Sequence, residues 1–71
     1  MAPSEREIFL NGEPYDLNGC TQLAALIERL GMKPGRTGVE LNDRVVPRAD
    51  YARTDIAAGD RLEIVNFVGG G

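Results

Sequence analysis

At 71 residues and 7.7 kDa the chain makes one small domain; such a domain buries only roughly 60% of its unfolded surface, which leaves little room for a deep substrate cavity. A hydrophobic fraction of 42% against 27% charged residues describes a folded chain rather than a disordered one. The net charge of −3 and the absence of a basic stripe argue against nucleic acid, and the single cysteine, Cys20, excludes an internal disulfide framework.

The N-terminal "MAPSEREIF" has no apolar signal core and no apolar run nears membrane-spanning length, so the expected location is cytoplasmic, away from any membrane. In "REIFLNGEPYDL", apolar runs at Ile8 to Leu10 and Tyr15 to Leu17 flank Asn11 and Gly12. Asn-Gly supplies the positive φ angles of a type I′ turn, so an opening β-hairpin is expected. Pro14 lacks an N–H, which confines the second strand to an edge or delays its start.

In "NGCTQLAALIERLGM", Leu23, Leu26, Ile27 and Leu30 recur at helical spacing. Thr21 stands where an N-cap belongs, and Gly31 where a left-handed C-terminal residue belongs. "MKPGRTG" reads as a loop, and "VELN" as a strand followed by a tight turn at Asn42 and Asp43. A brief strand in "RVVP" ends at Pro47. "RADYARTDIAAGD" is read as a short helical turn around Ala49 to Ala52 and then a loop, with Tyr51 and Ile56 as core anchors. The last strand, "RLEIVNFV", places Leu62 and Ile64 on one face and Val65 and Phe67 on the other. Two large apolar side chains on the face away from the helix exceed what a solvent-facing strand usually carries.

This order of elements describes an α+β fold of the β-grasp type, with a mixed sheet of four to five strands packed on one helix and the last strand in the middle of the sheet. Residues 1–68 form the domain, and residues 69–71, all glycine, form a flexible tail.

Material for catalysis is poor. There is no histidine, and one cysteine cannot make a zinc site. Cys20 is either a nucleophile near the helix start or a small, partly buried residue beside the cap, and the second reading suits a lone thiol better. No phosphate-cradling loop opens a helix. By itself the chain is expected not to be an enzyme, to hold no metal, and to have no catalytic residue.

The remaining unusual group is the α-carboxylate of Gly71. It is either the end of a frayed or engineered tail or a group that is used. A carboxylate is a poor electrophile and needs conversion to a mixed anhydride, for example with AMP, before a sulfur nucleophile attacks it. Glycines at 69, 70 and 71 would let the tail enter a narrow active site of another protein, since no Cβ obstructs the approach.

These residues resemble the ThiS family, the ubiquitin-like sulfur carriers of thiamine biosynthesis. The resemblance runs from about Glu7 to Gly71. It is carried by "LNGEPYDLNGCTQLAALIERLG", "VELNDRVVPRADY" and "GDRLEIVNFVGGG". The stretch with Val46, Pro47 and Arg48 favours this family over its cousins, whereas a Gly-Gly end is shared with the molybdopterin synthase small subunit and with ubiquitin-like modifiers, which stand as alternatives.

The resemblance implies that an E1-like adenylyltransferase, ThiF, uses ATP and magnesium to adenylate Gly71. A persulfide from a cysteine desulfurase or another donor then gives a thiocarboxylate, which thiazole synthase, ThiG, consumes. Cofactors therefore belong to the partners. It also implies that Val65, Phe67 and Val68, with Gly69 and Gly70, contact those partners. The "MAPSER" extension and Cys20 depart from the family pattern without touching this motif.

Overall fold

A computed structural model describes residues 6–67. The first strand, β1 (Glu7–Leu10), turns into β2 (Glu13–Asp16) through Asn11 and Gly12, whose φ angles of 51° and 85° are those the Asn-Gly pair favours. Helix α1 (Leu23–Arg29) follows, then a 3₁₀ turn (Pro34–Arg36), β3 (Thr37–Leu41) and β4 (Arg44–Val45). A second 3₁₀ turn (Arg48–Arg53) leads to β5 (Arg61–Asn66).

The five strands form one sheet in the order β2-β1-β5-β3-β4. Among the described residues, β1 and β5 pair in parallel and the other strand pairs are antiparallel; the last strand returns between the first and third, as a β-grasp requires. Pro14 sits in the edge strand β2, where a missing N–H costs nothing. The tail at residues 69–71 lies outside the described residues.

One apolar core joins helix and sheet. Leu23, Leu26 and Ile27 from α1 meet Ile8, Val39, Leu62 and Ile64 from the sheet, with Tyr51 and Ile56 closing the side. Each fully buried aliphatic side chain of this kind contributes about 1.5–3 kcal/mol. Leu30 packs at the margin of the core, and Gly31 at φ 75° ends the helix in the left-handed conformation.

Two local expectations are corrected. Thr21 is not the N-cap: Gln22 holds that position and makes no side-chain cap bond. Backbone from another segment meets one orphan donor of the helix, because the Leu23 N–H donates to the Thr54 carbonyl at 2.9 Å, and the same two segments are joined again where the Ile56 N–H donates to the Thr21 carbonyl at 2.9 Å. The third strand begins at Thr37 instead of Val39, since Thr37 and Gly38 find partners in Asn66 and Val65, and the preceding loop includes the Pro34–Arg36 turn.

Candidate functional site

Alternation along β5 sends Leu62 and Ile64 into the core and leaves Val65 on the opposite face of the sheet. Beside it, β3 presents Gly38 opposite Val65 and Glu40 opposite Glu63, and β4 presents Val45 opposite Glu40. Val45, Val65 and Phe67 are 76%, 56% and 58% exposed, which makes this outer face the place where large apolar side chains meet solvent.

Phe67 follows the last residue of β5, yet it is held in line with the strand. Its N–H donates to the Arg36 carbonyl at 2.7 Å, which extends the β3–β5 ladder by one step. Its ring lies over Gly38, where a Cβ would come within 3.2 Å of Cζ. The backbone bond and the ring contact together fix Phe67 against the end of β3. The sequence reading did not single out Gly38; the signal was its alternation with Glu40 on the face that Val65 shares.

Val65, Phe67, Gly38 and Val45 border a shallow hollow of about 290 Å³, with Glu40 and Glu63 on its rim. The same two carboxylates border a second hollow of about 400 Å³, floored by Phe9 and Leu62 and reaching Asp43 and Arg61. The outer face is thus an apolar furrow crossed midway by a directly opposed pair of acidic side chains.

Val65 and Phe67 are brought together on this face. Val68, Gly69, Gly70 and Gly71 lie outside the described residues. Cys20 is a core residue, 7% exposed, and its thiol donates to the Gln22 carbonyl at 3.5 Å. Among the described residues, no group of three or more His, Cys, Asp or Glu side chains is placed to hold a metal ion. No helix among them is long and apolar enough to cross a membrane.

Comparison with known proteins gives this surface a context. The chain is 40% identical over 65 residues to thiazole synthase of Magnetococcus marinus and 37% identical over 65 residues to thiazole synthase of Paramagnetospirillum magneticum; each match covers 92% of this chain and 20% of the relative. The chain therefore spans about a fifth of the length of those relatives. It is 35% identical to the ycf40 protein of Pyropia yezoensis over 71 residues, the full length of both. Among solved structures it is similar to the thiamine biosynthesis protein (ThiS) from Geobacter metallireducens, with a TM-score of 0.77 and 29% identity, covering 92% of this chain and 99% of that one. The ThiS family model matches residues 8–71, and the chain belongs to that family.

Proposed function

We propose that this protein carries sulfur as a thiocarboxylate on Gly71 and delivers it for thiazole formation in thiamine biosynthesis. The observation that supports this reading most directly is the family match over residues 8–71, which takes in the β-grasp domain and all three terminal glycines. The two thiazole synthase relatives contain a segment like this chain as a fifth of their length, which favours thiazole synthase as the receiver.

The chemistry follows from the carboxylate. An oxygen of Gly71 attacks the α-phosphorus of ATP on an E1-like adenylyltransferase, with magnesium on the phosphates, and pyrophosphate leaves. The acyl adenylate is then attacked at its carbonyl carbon by the terminal sulfur of a persulfide, and AMP departs. A thiol cleaves the resulting acyl disulfide, which leaves the sulfur on Gly71 as a thiocarboxylate and takes the donor away as a disulfide. In this reading the partners supply the base, the metal and the nucleotide site for these steps. Its part is to present the tail: Val65 and Phe67 give a partner an apolar anchor beside the departure point, and Gly69 and Gly70 add no side chains to the approach. Val68 joins that contact in this reading.

Intact mass spectrometry tests the proposal. Incubation with the organism's own adenylyltransferase, ATP, magnesium and a persulfide donor should raise the mass by the difference between sulfur and oxygen. Deletion of Gly71 should abolish the change without altering the melting temperature. An unchanged mass with an active partner rules the reading out. Covalent adducts on other proteins would point to a modifier instead, and a stable complex with a pterin-binding large subunit to the molybdopterin pathway.

A further inference from the structure

The chain has eight basic residues, and the fold treats them in two ways. Arg6 pairs with Asp16, Arg53 with Asp50 and Arg61 with Asp43, while Arg29 donates to the Leu17 carbonyl. Lys33, Arg36, Arg44 and Arg48 are exposed, and among the described residues their side chains have no ion pair or hydrogen bond.

Three of those four gather where β5 ends. Arg36 accepts the Phe67 N–H through its carbonyl at 2.7 Å, and its own N–H donates to the Lys33 carbonyl at 2.9 Å. The Arg48 guanidinium lies over Gly35, 3.1 Å from where a Cβ would stand, which sets it beside the same turn. Tyr51 Oη donates to the Thr37 carbonyl at 3.3 Å and so ties the Arg48–Arg53 turn to the start of β3. Asp50, the carboxylate of that turn, is held by Arg53 at 2.6 Å. A protein of net charge −3 thus sets three unneutralised cations beside the end of β5. Solubility does not require this, because grouping like charges raises the local potential.

We propose that Lys33, Arg36 and Arg48 form a cationic rim that docks a protein partner bearing carboxylates around the opening that receives residues 68–71. The proposal rests on the sulfur-carrier reading and adds the charge pattern of the partner. A protein fits better than a phosphate ligand, because the hollow nearest the strand end is lined by Val45, Val65 and Phe67 and includes none of the three cations. An apolar centre with charge at its margin is the anatomy of a protein interface. The pattern is also polar. Glu40 and Glu63 lie opposite each other farther back on the outer face, and they repel an acidic surface there. A partner with carboxylates on one side only is therefore held in one orientation.

The test uses the full chain with the adenylyltransferase and the thiazole synthase of the same organism. Binding constants are measured at low salt, where screening extends over about 30 Å, and near 1 M salt, where it is about 3 Å. Arg36→Glu and the triple reversal Lys33→Glu/Arg36→Glu/Arg48→Glu are compared with Arg44→Glu, which changes the same charge at the other end of β3–β5. The expected result is a loss on the order of tenfold or more for at least one partner with Arg36→Glu. The loss grows in the triple variant and shrinks at high salt, while Arg44→Glu binds as wild type. Should the triple reversal unfold, the neutral Lys33→Gln/Arg36→Gln/Arg48→Gln variant carries the comparison, with a smaller loss in the same direction. Unchanged affinity in the rim variants overturns the rim alone, as does an equal loss with Arg44→Glu. Salt-sensitive retention of the wild type on duplex RNA, lost in the rim variants while both partners still bind them, assigns the rim to nucleic acid and overturns it too. A wild type that binds neither partner overturns the sulfur-carrier reading, and the rim falls with it.

Discussion

The side-chain amide of Asn11 takes both backbone groups of Ile64: Oδ1 accepts its N–H at 2.9 Å, and Nδ2 donates to its carbonyl at 3.3 Å. The backbone ladder between β1 and β5 stops when the Asn11 N–H has bonded the Leu62 carbonyl, because the chain then turns away. The amide continues that ladder for one more residue. On the other side, Asn42 Oδ1 accepts the Arg61 N–H at 2.9 Å, so two turn asparagines hold β5 between them. These bonds add to the backbone pairing with β1 and β3 that leaves Val65 on the outer face.

Asn11 can therefore be removed in two ways with different results. Asn11→Gly loses the two bonds but keeps the positive φ of 51° comfortable, and should cost about 1–2 kcal/mol. Asn11→Ala adds left-handed strain of about 1 kcal/mol on top. Urea titration of the pair should show both destabilised, with alanine the worse; equal midpoints to wild type would mean that the amide contributes nothing.

Leu26 is fully buried at the centre of the helix–sheet contact. Leu26→Ala should cost about 2–5 kcal/mol. In a domain of this length each kcal/mol lowers the melting temperature by about 4–8 °C, so calorimetry should find a drop of about 8 °C or more. Ile27→Val, which removes one methylene from an equally buried site, should cost only about 0.5–1.5 kcal/mol.

Val65 contrasts with these. More than half exposed on the outer face, it should tolerate Val65→Ala with a stability change of about 1 kcal/mol or less. Affinity for the adenylyltransferase should nonetheless fall by about tenfold, or about 1.4 kcal/mol, if this side chain is an anchor. Calorimetry and a binding titration on the same variant separate the two effects.

Gly38→Ala inserts a methyl group 3.2 Å from Phe67 Cζ. Glycine in a strand normally gains from this replacement by roughly 0.5–1 kcal/mol, but here the aromatic ring has to shift. The expected outcome is a folded protein with displaced Phe67 ring resonances and weaker partner binding. Unmoved resonances would show that the ring does not rest on this glycine.

Cys20 should behave as an inert core residue. Its thiol should react with an alkylating reagent far more slowly in the native state than in urea, because only 7% of the residue is exposed. Cys20→Ala should cost about 1–2 kcal/mol and leave thiocarboxylate formation intact. Loss of sulfur loading with the fold preserved would instead make this thiol a participant.

The hairpins, the helix face and the two faces of β5 were legible because each is a local pattern: Asn-Gly at a turn, leucines at helical spacing, alternation along a strand. The helix start was not, since the Leu23 N–H is met by the Thr54 carbonyl some thirty residues away rather than by the side chain of the nearby Thr21. The hold of Asn11 on Ile64 spans 53 positions and leaves no local trace beyond the turn it also makes. At the site, Val65 and Phe67 could be read from alternation, but Gly38 acquires meaning only when β3 lies beside β5. The cationic rim could not be read from composition at all, because Lys33, Arg36 and Arg48 are set apart from the paired arginines, and from the equally unpaired Arg44, only by where the fold places them beside the end of β5.

The seat of Phe67 on Gly38, secured by the bond to Arg36, turns the domain into a gauge. Measured from that fixed point, Gly71 is four residues away, and four residues at full extension span about 13–14 Å. If Gly71 carries the sulfur as proposed, a partner that grips the outer face must keep its reacting atoms inside that radius. Adding or removing one glycine in the tail would then move the terminal carboxylate by about 3.5 Å relative to the docked body, enough to miss an active site that still binds normally.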